Sequence, residues 1–172
     1  PEQIQSQLRQ EIVQQRAFDP LVANTTIVSL IVQLLSPNIH LHSASVIYKK
    51  PVDADKVSLG RGWHRDIGIA EDIGHAGLPR IGIKVCYCLT DFRAPNSGMT
   101  LFASGSHCNQ VPLGISKSEV DPPNTVDLLL RAGDAILFEN RTFHTAAPNL
   151  SRRISKVIIY GYAYRWMKVD QY

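Results

Sequence analysis

The sequence predicts a mainly β protein, a β-sandwich or jelly roll with N-terminal helices packed on one sheet. Three observations carry that expectation. Helical periodicity is confined to residues 1–37, the chain beyond Asn38 breaks into short β-branched and aromatic runs, and the joints between those runs are built from Gly, Pro and Asn. No helices alternate with the strands, as a parallel sheet would require, and the strand spacing is too uneven for a propeller.

In chain order, residues 1–17 predict an amphipathic helix, because Ile4, Leu8 and Ile12 recur four apart among Gln, Arg and Glu. Phe18-Asp19-Pro20 breaks it. Residues 20–35 predict a second helix with Pro20 in its first turn and Val28, Ile31, Val32 and Leu35 as its apolar side, ended by Ser36-Pro37-Asn38. Ile39 to Tyr48 reads as the first strand, followed by Lys49-Lys50-Pro51 and a polar loop through Gly60. Further strands are expected at 80–90, 99–103, 125–130, 134–139 and 154–164. The turns between them are Ala94-Pro95-Asn96-Ser97-Gly98, Asp121-Pro122-Pro123-Asn124 and Arg131-Ala132-Gly133-Asp134. The expectation is a single domain over 1–172, with 1–37 as helical support and 38–166 as the β core. The chain begins at Pro1 rather than Met, directly in a helical pattern, so the N-terminal part of a longer chain is expected to be missing.

Composition narrows the class. At 44% hydrophobic and 19% charged, the chain has the balance of a folded protein and not of a disordered one. Its net charge of +3 is spread without any basic run longer than Lys49-Lys50 or Arg152-Arg153, which argues against a nucleic-acid partner. The longest apolar stretch, Ile27 to Leu35, is too short to span a bilayer and carries Ser29 and Gln33, so no membrane partner is expected. Cys86, Cys88 and Cys108 are odd in number and lack zinc-type spacing. Reduced thiols are the expectation, in the cytoplasm or another reducing intracellular compartment.

The chemistry centres on Gly62-Trp63-His64-Arg65-Asp66. On an extended strand residues i and i+2 project to one face, so His64 and Asp66 can grip one metal ion together. By itself an H-x-D pair is weak, since the spacing arises by chance. Its context raises it: Trp63 precedes it and Ile67-Gly68-Ile69 follows, a short strand whose polar pair would be costly to bury without a partner. A third ligand must come from elsewhere, and His144 in Phe143-His144-Thr145 is the candidate. Two His and one carboxylate form the facial arrangement that suits non-haem Fe(II), leaving positions open for a co-substrate and O2.

At these residues the chain resembles the phytanoyl-CoA dioxygenase-like branch of the Fe(II)/2-oxoglutarate-dependent oxygenases. Trp63-His64-x-Asp66 resembles that branch's first-ligand motif. Leu89-Thr90-Asp91, Asn96-Ser97-Gly98-Met99 and Gly105-Ser106-His107 resemble its strand–turn–strand segment. Arg131-Ala132-Gly133-Asp134 through His144, then Pro148-Asn149-x-Ser151, resembles the stretch with the second His, and Tyr160-Gly161-Tyr162-x-Tyr164-Arg165-Trp166 the last core strand. The resemblance implies a double-stranded β-helix (jelly roll, cupin-like), with His64, Asp66 and His144 as iron ligands near the barrel mouth. It also implies Fe(II), 2-oxoglutarate and O2 as cofactor and co-substrates. Because Asp66 is present, oxidation such as hydroxylation is expected rather than halogenation, for which relatives carry a small residue in its place. The substrate is expected to be a small organic molecule: a lipid, an amino-acid derivative or a secondary metabolite.

One departure matters. The family usually holds the distal carboxylate of 2-oxoglutarate with an Arg eleven residues after the second His, and here that position is Ser155. If the strand has begun by then, Arg153 shares a face with Ser155 and enters the pocket, while Arg152 does not. Arg153 is therefore the expected anchor, with Ser155 as helper and Lys84 or Lys50 as alternatives. The Ser that many members carry two residues after the second His is Ala146 here.

The remaining histidines take blander readings: His40 and His42 as surface or packing residues, His107 as a turn cap, and His75, in the glycine-rich loop after the metal strand, as a residue that can face substrate. Two other functions compete with the oxygenase. One is a non-catalytic β-sandwich binding protein derived from the family, and the other a cupin-type metalloenzyme that does not use 2-oxoglutarate.

Overall fold

The structure, a computed structural model, describes residues 5–8, 12, 14–57 and 61–168. Its regular elements, in chain order, are β1 (Gln5–Leu8), α1 (Asp19–Val22), α2 (Thr25–Leu34), β2 (Ile39–Lys49), α3 (Ala70–Ile73) and β3 (Gly82–Cys88). There follow β4 (Thr100–Ala103), β5 (Thr125–Asp127), β6 (Ala135–Glu139), β7 (His144–Ala146) and β8 (Ser155–Tyr164). Strands from distant parts of the chain interleave into a five-stranded sheet, β1-β2-β8-β3-β6, and a three-stranded sheet, β5-β4-β7. Every ladder is antiparallel.

The amphipathic helix expected over 1–17 is corrected. Gln5–Leu8 is a strand paired with Val46–Lys49 of β2, and among the described residues of this stretch helix is found at Ile12 and Gln14 and as a 3-10 turn from Arg16. Ile4 lies outside the described residues. Backbone pairing to the open edge of β2 outweighs the weak intrinsic preference of a Gln-rich segment. Ile12 still reaches the core and is 3% exposed. The helix expected over 20–35 is split at Asn24, whose side chain accepts a hydrogen bond from the Ile27 amide (3.1 Å) and so starts α2 afresh.

Alternation sorts the large sheet into two faces. Ala44, Val46, Ile83, Val85, Tyr87, Ile158, Tyr160 and Tyr162 face the helices and bury Ile27 and Ile31. Burying a residue such as Ile31, fully inaccessible here, is worth about 1.5–3 kcal/mol. Three tyrosine hydroxyls donate to helix-end carbonyls: Tyr87 to Leu21 (2.9 Å), Tyr162 to Val22 (2.7 Å) and Tyr164 to Leu35 (3.3 Å). Carbonyls at a helix end lack the full i+4 pairing of the helix interior, so the tyrosines dock the helices as well as packing beneath them.

The opposite face looks into the space between the sheets. Cys86, Cys88, Phe92, Met99, Phe102, Phe138 and Val157 form the core there. Cys86 and Cys88 are buried thiols, and burial pushes the Cys88 pKa up to about 11 and that of Cys86 further still. Among the described residues no single helix is long and apolar enough to cross a membrane.

Candidate metal centre

The short segment that carries His64 and Asp66 is positioned by the edge of the small sheet. His64 and His144 form an isolated antiparallel bridge, each amide donating to the other's carbonyl at 3.0 Å. Directly opposed residues in such a pair project their side chains to the same face, and the two imidazole centroids lie 4.4 Å apart. The Asp66 amide continues the pairing by donating to the Asn140 carbonyl (3.1 Å). Thr145 Oγ1 also donates to the Arg61 carbonyl. The strand does not continue through Ile69 as expected: Ile67 takes φ 55°, a left-handed conformation that a β-branched residue rarely adopts, and the chain turns into α3. The carboxylate therefore sits on the residue just before that left-handed turn.

His64, Asp66 and His144 each offer a ligand atom, all within 4.8 Å of one another. The protonation pattern suits a cation. His64 Nδ1 lies 2.8 Å from the Gly62 carbonyl and His144 Nδ1 lies 2.9 Å from the Thr142 carbonyl. A carbonyl only accepts, so each Nδ1 carries the proton and each Nε2 is left with its lone pair. Burial pushes the His144 pKa down to about 4, against the pull of the Asp66 carboxylate, so the ring is neutral near pH 7. His144 Nε2 lies 3.5 Å from Asp66 Oδ2, a contact that is therefore not an ion pair. Asp66 Oδ2 is buried and has no hydrogen-bond partner. Metal–ligand bonds of roughly 2 Å put adjacent donors about 3 Å apart. Two lone pairs and an orphaned carboxylate oxygen at this spacing fit a divalent ion.

The other Asp66 oxygen, Oδ1, accepts from Lys84 Nζ at 2.5 Å. Lys84, an expected contact for the distal carboxylate, is thus committed to a metal-site carboxylate. Arg65, between the two candidate ligands, points away from them and is buried. Its guanidinium donates to the carbonyls of Arg141 (2.6 Å), Ser106 (2.7 Å) and Asn109 (2.9 Å), meets His75 Nδ1 at 2.8 Å, and lies 4.4 Å from the Phe143 ring centre. Ser106 Oγ accepts from the Phe143 amide (2.8 Å). In Gly105-Ser106-His107 the buried Ser106 thus holds the histidine strand, while His107 is exposed. His75, expected to be able to face substrate, is half-buried against Arg65 and stacks on Phe143.

Of the expected anchors, Lys84 is taken up at Asp66, while Arg153 and Ser155 stand together at the start of β8. Arg153 is exposed, in a bend before β8 begins at Ser155, so strand alternation does not send its side chain inward. It lines an open surface cavity with Thr90, Arg93, Arg152 and Ser155. Ser155 is buried, with Oγ so close to Gly98 that a Cβ there would lie 2.3 Å from it. Across the β2–β8 ladder Ser155 pairs with Lys49, a residue that sequence reading passed over. Lys49 is only 6% exposed, and its Nζ donates to the carbonyls of Ala147 (2.7 Å) and Gly98 (3.3 Å). The inward parity of Lys49 on a strand ending in Lys49-Lys50-Pro51 was the signal available for finding it.

Comparison with known proteins agrees with this geometry. The chain is 27% identical over 161 residues to the ectoine dioxygenase of Nocardia farcinica, a match covering 78% of this chain and 51% of that protein. The chain thus spans about half the length of that curated relative. The crystal structure of HygX from Streptomyces hygroscopicus with nickel, 2-oxoglutarate and hygromycin B bound superposes with a TM-score of 0.76 at 16% identity, covering 98% of this chain and 73% of that one. The non-heme alpha ketoglutarate dependent epimerase SnoN from nogalamycin biosynthesis gives 0.66 at 20%, covering 96% and 61%. At such identities these likenesses speak for the fold, the double-stranded β-helix expected from the sequence. The phytanoyl-CoA dioxygenase profile matches residues 3–157, and the chain belongs to the phytanoyl-CoA dioxygenase (PhyH) family.

Proposed function

We propose that this chain carries the core of a non-haem Fe(II)- and 2-oxoglutarate-dependent dioxygenase that hydroxylates a small organic molecule. The observation that carries the reading is the His64–Asp66–His144 cluster, with both Nε2 lone pairs and the orphaned Asp66 Oδ2 drawn together. When bound, Fe(II) and 2-oxoglutarate supply the oxidising chemistry, with succinate and CO2 as co-products. The chain's part is to hold and orient. His64, Asp66 and His144 hold the metal from one side. The Gly62 and Thr142 carbonyls lock the two imidazole tautomers, as outer partners of metal-bound histidines commonly do. Phe138 and Phe102 lie 4.9 Å and 6.3 Å from the His144 ring and exclude water behind it. The exposed His64 marks the side open to substrate. Support comes from the family, from a relative named for its dioxygenase activity, and from a fold neighbour crystallised with nickel and 2-oxoglutarate.

The test is anaerobic addition of 2-oxoglutarate to the Fe(II)-loaded protein, then admission of O2. A metal-to-ligand charge-transfer band, followed by succinate release that His64→Ala abolishes, is the expected result. No band and no succinate would sink the reading. A cupin-type reaction without 2-oxoglutarate is favoured by Ser155, and it requires metal binding that 2-oxoglutarate leaves unchanged.

A further inference from the structure

A cation on the interior face of the large sheet has no carboxylate partner among the described residues. Lys49 stands at the end of β2 on the face shared with Ile47, Ser155 and Val157, which looks between the sheets. Its ammonium is buried, and among the described residues no carboxylate pairs with it. Its two partners are backbone carbonyls, which orient the charge without neutralising it. Desolvation accordingly pushes its pKa down to about 8. A buried, unneutralised charge is costly, and chains retain one where a ligand brings the opposite charge.

The place of this amine says which ligand. Lys49 is held at the carbonyl of Ala147, which at roughly 3.3 Å per residue lies about 10 Å along the strand from His144. That is the depth to which a short dicarboxylate reaches when its 2-oxo acid end sits on the metal. Ala146 is exposed although it follows the buried His144 and Thr145, so the face beside this path is open. Across the ladder stands Ser155, too short to bind a carboxylate at that depth.

We propose that Lys49 is the counter-ion for the distal carboxylate of 2-oxoglutarate in this chain, a role the resemblance gave to an arginine at position 155. The inference rests on the co-substrate use proposed above. Lys49 reaches the same space from the neighbouring strand, with Gly98 and Ala147 aiming the ammonium. Ser155 keeps its hydroxyl packed against Gly98, where the absence of a Cβ leaves it room.

The experiment compares two 2-oxo acids on the anaerobic Fe(II)-loaded full chain: 2-oxoglutarate, and pyruvate, which chelates but has no distal carboxylate. Binding is read from the charge-transfer band without turnover. Wild type is expected to prefer 2-oxoglutarate. Lys49→Met and Lys49→Gln should weaken 2-oxoglutarate about 10- to 100-fold, the loss for one charge-assisted contact, and leave pyruvate unchanged. Lys49→Arg should keep most of the preference, and Arg153→Ala all of it. Undiminished 2-oxoglutarate affinity in the neutral variants overturns the proposal, as does loss of pyruvate along with it, which marks a structural lysine. Loss of preference in Arg153→Ala overturns it too. A wild type that gives no band with either acid overturns the co-substrate reading itself.

Discussion

Replacing Arg65 by methionine is expected to cost about 4 kcal/mol of folding stability and to loosen the metal site with it. The side chain is 9% exposed and donates to three carbonyls on two other segments, Arg141 at the β6–β7 turn and Ser106 and Asn109 after β4. A hydrogen bond from a charged donor contributes about 1.5–3 kcal/mol, and the three acceptors lose theirs together. The low end of that range applies, because burial and the nearby Arg141 already disfavour the guanidinium, holding its pKa below the usual value. Methionine keeps an unbranched apolar side chain beside the Phe143 ring, so what is measured is the loss of the guanidinium's contacts, its stacking on that ring included. The assay is urea unfolding with a chelator present, so that metal binding does not mask the loss. The midpoint should fall at constant slope. Lys in place of Arg should recover little, because a single ammonium cannot serve acceptors spread around a planar fork. A loss below about 1 kcal/mol, or full recovery by Arg65→Lys, would refute the reasoning. Since those segments also carry His144, metal affinity should fall about 10- to 100-fold, as it does when outer partners of a metal site are removed.

Two further outcomes follow from the same structure. Gly98→Ala should destabilise by about 2 kcal/mol or more, because φ +94° disfavours a side chain and the new Cβ would meet Ser155 Oγ and Asn149; thermal unfolding checks it. The pH dependence of stability should carry a signature of Lys49. Its folded pKa of about 8 lies below the ordinary 10.5, so between those values the unfolded chain binds more protons and stability rises with pH. Below pH 8 both states are protonated and the full burial cost is present. Relative to Lys49→Met, wild type should therefore gain up to about 3 kcal/mol between pH 7.5 and 10.5 in metal-free urea unfolding. A flat difference would place the amine in water.

Most of the β core is legible locally. The strands at 39–48, 80–90, 99–103, 134–139 and 154–164 match β2, β3, β4, β6 and β8 to within a few residues, because alternation and turn residues are short-range signals. β7 is not legible, since His144–Ala146 is three residues long and extended only through pairing with β4 and His64. The N-terminal segment misleads for the opposite reason: Ile4, Leu8 and Ile12 have helical spacing, yet the unpaired edge of β2 takes Gln5–Leu8 as a strand.

At the site, the sequence by itself determined the candidate donor set. His64 and Asp66 stand two apart on extended backbone, and His144 stands in a motif that carries a third ligand. It also determined that an arginine is missing at position 155. Only the tertiary structure decided that His64 and His144 oppose each other across one bridge, that strand pairing begins at Ser155 and leaves Arg153 exposed before it, and that Lys49 faces Ser155 with no carboxylate partner among the described residues. Side-chain direction within a strand is set by the residue's own parity. Which strand lies alongside, and in what register, is set by hydrogen bonds between residues a hundred apart, and no local pattern encodes that.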